Sequence, residues 1–225
     1  MITRLIAVVL SAGVLFLSPA NQAEAGERYL SFDLIGGGTL DEFGGFNTAG
    51  GFSNADQSND IQYGVAISYG LRDYWTLGNI QLSPELELAW FDDYSVSSAS
   101  FPGLPAPAFL YNTSIQTGRL GTNVWWPVYQ DALWRTEVGL GGGVVYRDVS
   151  TSDGVVAGSD DDFSGYGQVG IRALRSIGER SSLKFGINYV LTGETDVALN
   201  GGTAGELSVD TRSVDLRLGY EFKLN

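Results

Sequence analysis

The sequence predicts an all-β fold: eight antiparallel strands closed into an up-and-down transmembrane β-barrel. Three observations predict it. Eight stretches alternate with a period of two, each with one apolar and one small or polar face. Their connections alternate between long and short. Beyond an N-terminal leader, no apolar run reaches the roughly 20 residues that a membrane helix needs.

The last stretch shows the pattern most plainly. Val214, Leu216, Leu218, Tyr220, Phe222 and Leu224 alternate with Asp215, Arg217, Gly219, Glu221 and Lys223. Successive strand side chains point to opposite faces, so one face meets something oily and the other water or polar groups. Here the expected oily partner is lipid.

The leader lies outside the fold. Arg4 is followed by an apolar run, Leu5 to Leu17, too short to span a bilayer. Pro19 breaks the run, and Ala23-Glu24-Ala25 offers a small-x-small cleavage site before Gly26. Residues 1–25 read as a secretory signal peptide and 26–225 as one barrel domain. With no Cys in the chain, no disulfide staples it. A net charge of -13 argues against nucleic acid as a partner. Gly (31 residues) and aromatics (12%) are abundant while charged residues are only 17%, which suits an exported β-protein.

The strands follow in order. The first, Arg28 to Gly36, sets Leu30, Phe32 and Leu34 against Tyr29, Ser31 and Asp33. The second, Ile61 to Leu71, has its large residues at odd positions. The third, Asn79 to Trp90, points Gln81, Ser83, Glu85, Glu87 and Ala89 inward, and Pro84 suggests a bulge or an unpaired position. The fourth, about Thr113 to Trp126, places Arg119 and Asn123 inward. The fifth, Trp134 to Tyr146, places Arg135, Glu137, Gly139, Gly141 and Gly143 inward. The sixth, Phe163 to Ala173, turns Tyr166, Gln168 and Arg172 in. The seventh, Ser182 to Leu191, turns Lys184 and Asn188 in, and the stretch from Val214 closes the set.

Long loops are expected at 37–59, 92–112, 147–162 and 192–206, with short turns between. Short turns on one side and long loops on the other suit a membrane barrel, and an even count returns both termini to the short-turn side. Trp75, Trp125, Trp126 and Trp134 lie at or beside short turns; Trp90 and Tyr146 lie at long-loop ends. Amphipathic rings favour both membrane interfaces, so these six are expected to form an aromatic girdle.

The expected lumen set is Asp33, Glu85, Glu87, Arg119, Arg135, Glu137, Arg172, Lys184, Asp215, Arg217 and Glu221. An eight-stranded lumen is just wide enough for side chains to fill. Buried charges are expensive unless paired, so an ion-pair network plugging the barrel is expected. A narrow conducting path lined by the same charges is the alternative. No His is present, which removes Ser-His-Asp catalysis. Glu85 and Glu87 share one strand face without a cleft, so no catalytic role is assigned. The acidic stretch Asp153 to Asp162 lacks EF-hand spacing and reads as a solvated loop rather than a Ca²⁺ site. Gly139-Leu140-Gly141-Gly142-Gly143 lies within a strand, which excludes a dinucleotide loop. No cofactor or metal is expected.

The ending Arg217-Leu218-Gly219-Tyr220-Glu221-Phe222-Lys223-Leu224 resembles the C-terminal β-signal of bacterial outer-membrane proteins. Its matching positions are Arg217, Gly219, Phe222 and Leu224, with Asn225 one residue past the usual end. The region Asn123 to Tyr146 and the run Ser164 to Gly170 are similar to the fifth and sixth strands of the OmpA-like/opacity-type outer-membrane barrels. That resemblance implies an outer-membrane location, no shared catalytic residues, and roles in envelope integrity, surface adhesion or porin-like passage of small solutes. It implies as partners the outer-membrane lipid, the barrel-assembly machinery through the last strand, and an unidentified surface ligand.

Overall fold

The computed structural model describes residues 26–47, 50–54, 60–100, 109–200 and 205–224. The signal-peptide expectation falls on residues outside these. From the N-terminal side the strands are β1 (Glu27–Asn47), β2 (Gly50–Asn54), β3 (Asp60–Arg72), β4 (Trp75–Leu77), β5 (Ile80–Ser100) and β6 (Phe109–Gln130). β7 (Trp134–Ser152), β8 (Ala157–Ser176), β9 (Ser181–Thr192), β10 (Thr195–Leu199) and β11 (Gly205–Lys223) follow.

Eight strands form the ring. β1, β3, β5, β6, β7, β8, β9 and β11 pair antiparallel with their neighbours in that order. β11 then returns to β1 along a ladder from Tyr29↔Lys223 to Asn47↔Gly205. Closure removes the free sheet edges of the lower part of the wall. β4 folds back on β5 at Trp75↔Leu82 to make one short connection. Another is capped by Asp131, whose carboxylate accepts from the Leu133 and Trp134 amides at 2.8 and 2.7 Å.

The long-loop expectation is corrected. Among the described residues, most of 37–59, 92–112, 147–162 and 192–206 lies in strands. The barrel wall continues well past the lipid-facing belt. β3 and β9 stop at its top, and two short strands take over their places. β2 pairs with β1 at Phe46↔Gly51 and with β5 at Phe52↔Ser100. β10 pairs with β11 at Val197↔Leu207 and is followed by a bridge to β8 at Ala157↔Asn200. The result is a lower and an upper storey.

The two storeys differ in which face is apolar. In the lower one, Phe32, Leu34, Val65, Leu88, Leu140, Val169, Ile187, Leu216 and Leu218 point outward and are exposed. In the upper one the period of two continues but the faces exchange. Phe43, Tyr94, Val96, Tyr111, Ile115, Val149, Val197, Leu207 and Val209 point inward and belong to one buried cluster. Glu42, Ser95, Asp148, Asp161 and Asp196 face outward. Burying each large apolar side chain is worth about 1.5–3 kcal/mol, so the upper storey is held as an ordinary water-soluble β-core is held.

Pro84 creates no bulge. It pairs in register with Val124, and the register shifts lie instead between Phe91 and Tyr94 and between Pro127 and Tyr129. On its other side the β3 ladder ends at Glu85 and the β4 ladder begins at Leu82. Pro84 thus occupies a gap between two ladders, where its missing N–H removes no sheet hydrogen bond.

The face assignment makes a direct prediction. Leu218 lies mid-belt, opposite Leu34 and Phe185. Leu218→Arg should lose about 2–4 kcal/mol in denaturant unfolding from lipid vesicles. Arg212, on the same face one storey up, carries its charge natively because that position lies above the belt. Unchanged stability for Leu218→Arg would show that the face is misassigned.

Candidate functional site

The inward face of the lower storey carries a chain of paired charges. At the short-turn end, Arg135 grips Asp73 with both terminal nitrogens, at 2.9 and 2.5 Å, and donates Nε to Glu137 at 2.7 Å. Arg72 lies between Glu137, at 3.4 Å, and Glu221. Arg172 joins this layer to the next, donating Nε to Glu137 at 2.6 Å and Nη1 to Glu85 at 2.6 Å. Glu85 also accepts from Tyr29 Oη at 2.8 Å, Trp125 Nε1 at 3.1 Å and Asn123 Nδ2 at 3.2 Å.

Further up, Arg217 holds Glu87 with two nitrogens, at 2.5 and 3.0 Å. Lys184 meets Asp33 at 2.7 Å. Arg119 meets Asp215 at 2.5 Å, and Gln62 donates to the same carboxylate at 3.2 Å. Gln168 links the Asn123 and Asn188 amides across the lumen.

The structure places all eleven sequence-predicted lumen residues inside and buried, and each joins an ion pair. With Arg72 added, six carboxylates face six cations: Asp33, Glu85, Glu87, Glu137, Asp215 and Glu221 against Arg72, Arg119, Arg135, Arg172, Lys184 and Arg217. The buried charges of the lower lumen therefore balance, with the partly exposed Asp73 at its rim, although the whole chain carries -13. Its excess negative charge lies elsewhere, mostly on outer surfaces and strand ends. Arg72 and Asp73 were missed because the sequence reading ends the second strand at Leu71. The alternation itself points Arg72 inward, as the next member of the face holding Gly70.

Two glycines show how tightly the lumen is filled. A side chain at Gly139 would meet the Trp125 ring at 2.4 Å, and one at Gly141 would meet Asn123 Oδ1 at 1.9 Å. Only glycine leaves room for the side chains opposite.

One girdle residue is corrected. Trp90 (47% exposed), Trp75 (42%) and Trp134 (37%) face outward, as do Trp126 and Tyr146, which are half-buried. Trp125 is 4% exposed and points inward. It shares strand parity with Asn123, so alternation puts it in the lumen, where its ring lies 4.2 Å from the Arg172 guanidinium. The assembly-signal positions divide likewise: Arg217 and Gly219 face in, Phe222 and Leu224 face out.

Between the lower network and the apolar core lies a smaller polar layer, at the level where Glu42, Asp210 and Arg212 face outward. Asp41 accepts from Thr211 at 2.6 Å and Tyr94 at 3.0 Å. Desolvation pushes its carboxyl above the usual range, against those hydrogen bonds. Arg147 donates to Thr195 at 3.0 Å, to the Val209 carbonyl at 3.3 Å and to Thr192.

The acidic stretch Asp153 to Asp162 is a tight turn followed by strand, not a long loop. Asp153 accepts from the Val155 and Val156 amides at 2.8 and 2.6 Å, while Asp160, Asp161 and Asp162 lie exposed on β8. Among the described residues, no group of three His, Cys, Asp or Glu side chains could hold a metal ion.

Two predictions follow from these contacts. Arg172→Met leaves Glu85 and Glu137 each short of a charged donor and should cost about 3–5 kcal/mol in urea unfolding from vesicles. Asp41 binds its proton more tightly when folded. Stability should therefore fall as pH rises from the unfolded carboxyl value, about 3.9, through the raised folded value. Asp41→Asn should remove that slope, and an unchanged pH profile would contradict the desolvated placement.

No protein-family profile and no curated protein matches the chain. Solved structures do. Outer membrane protease OmpT from Escherichia coli aligns over 92% of this chain and 100% of its own, at 8% identity and TM-score 0.55. Outer membrane protein OprG from Pseudomonas aeruginosa aligns over 91% and 100%, at 14% identity and TM-score 0.51. Neisserial surface protein A aligns over 89% and 99%, at 14% identity and TM-score 0.47. One of these folds carries a protease, so the fold alone does not decide for or against catalysis. The chain has the architecture of the eight-stranded outer-membrane β-barrels, in keeping with its resemblance to the OmpA-like/opacity-type family.

Proposed function

We propose that this protein is an outer-membrane barrel with a closed lumen, serving envelope integrity or surface binding rather than catalysis. The observation that carries the reading is double closure. A polar layer in which six buried carboxylates meet six buried cations fills the lower storey, and an apolar core fills the upper. A hydrated ion would have to break ion pairs and then cross a packed hydrocarbon plug.

The lower belt fits outer-membrane lipid, and the exported leader fits that destination. The last strand would engage the barrel-assembly machinery through Arg217, Gly219, Phe222 and Leu224. Surface binding would fall to the upper storey. Its outward face carries Glu42, Asp148, Asp161 and Asp196, and Asp92, Asp93, Asp160 and Asp162 are exposed beside them, with Arg212 as a countercharge. Such a surface draws cationic ligands and repels anionic ones.

Planar-bilayer recording tests closure. The wild type should be silent at all voltages, and Arg135→Ala should stay silent because the upper core remains. Discrete conductance in the wild type would favour a small porin-like channel. Envelope fractionation with heat-dependent gel mobility tests location: a soluble form without a folded-to-unfolded mobility shift would contradict it.

A further inference from the structure

At the short-turn end the barrel opens into a vestibule of about 540 Å³, and Gly26 is part of its lining. Four carboxylates line it as well: Glu27, Asp73, Asp131 and Glu221. Three cations answer them: Arg72, Arg135 and Lys223. The lining is thus one positive charge short of balance. Glu221, 1% exposed, has a carboxylate oxygen, Oε2, that accepts no hydrogen bond, whereas the partly exposed Glu27 is ion-paired to Arg72 at 3.5 Å and Lys223 at 2.9 Å. An unpartnered carboxylate oxygen at a buried site favours a further donor.

A side chain at Gly26 would meet the Arg72 carbonyl oxygen at 2.4 Å and Tyr74 Cα at 3.2 Å. The backbone lies close against the end of β3, at the vestibule it lines. In the sequence, Gly26 directly follows Ala23-Glu24-Ala25. While residue 25 is attached, the Gly26 nitrogen is a neutral amide.

We propose that cleavage of the Ala25–Gly26 bond places an α-ammonium in this vestibule, where it acts as the missing fourth cation and secures the base of the barrel. Hydrolysis by a leader peptidase consumes one water. It leaves a carboxylate on Ala25 and an amine on Gly26, which takes up a proton. The inference rests on the signal-peptide reading for its chemistry and on the vestibule charge count for its consequence. An α-amine ordinarily titrates near 7.7–8.0, and excess carboxylate around it stabilises the protonated form. Arg28, Arg175 and Arg180 are exposed and lie outside the cavity lining, so they do not supply the charge.

The test uses refolded barrel in lipid vesicles, in three forms: beginning at Gly26, beginning with one Met ahead of Gly26, and beginning at an Nα-acetylated Gly26. NMR titration of the Gly26 amine should give a pKa above the ordinary range, returning toward it in Glu221→Gln or, should that variant not refold, Glu27→Gln. The acetylated and Met-extended forms should unfold at lower denaturant, and their deficit should shrink in the same variants. An ordinary amine pKa, or an acetylation deficit unchanged in Glu221→Gln and Glu27→Gln, would overturn the charge role. Mass spectrometry of protein from envelopes tests the processing separately: an N-terminus other than Gly26 would overturn that part. Neither result depends on whether the barrel conducts.

Discussion

A strand that leaves lipid and continues into water cannot keep the same chemistry on its two faces. In lipid, the outer face must be apolar and the narrow interior can hold polar groups if they satisfy one another. In water, the outer face is free to be charged, and the interior is the place to bury apolar surface. β1, β6, β7, β8 and β11 cross this boundary without a register shift and β5 with one between Phe91 and Tyr94, and their side chains exchange roles there. On β11, Leu216 and Leu218 face lipid, while Leu207 and Val209, of opposite parity, fill the upper core. Almost every other feature of the fold answers to that exchange.

The lower interior shows how such a lumen can be filled without an unpaired charge. Arg172 touches two carboxylates, a tyrosine hydroxyl and a tryptophan face. Glu137 accepts from Arg72, Arg135 and Arg172. Removing one member strands its neighbours, so the network acts as a unit. Its balance of buried charges also separates two electrostatic roles. The lower interior is balanced internally, and the net negative charge is left to the exterior and the two ends of the barrel.

Much of this was legible in the sequence. Lipid-facing strands announce themselves through large residues at alternate positions, as in Ile61 to Leu71, and the charged positions between them fall in the lumen by parity alone. Trp125 shows what was lost when a second rule overrode the first. Proximity to a turn suggested the interface, whereas parity with Asn123 gave the interior. The upper storey was missed for a different reason. Segments such as Leu207-Ser208-Val209-Asp210-Thr211 alternate just as strictly, but with smaller apolar residues on the opposite face and Gly, Ser and Asp between. Read for an apolar outer face, they look like loop. Read for parity without a preferred face, they are strand. Charge partners across the lumen, such as Arg217 with Glu87, depend on barrel register and could not be read from one chain segment.

The exchange of faces along β11 is the most direct point of test. A single-cysteine label moved from Glu206 to Phe222 in vesicles can be probed with a lipid-soluble and a water-soluble quencher. The account predicts that even positions from 214 to 222 are quenched from lipid and positions 206, 210 and 212 from water. It predicts that odd positions are reached by neither. Lipid quenching at positions 206 to 212, or water quenching at Leu207 and Val209, would contradict the two-storey barrel.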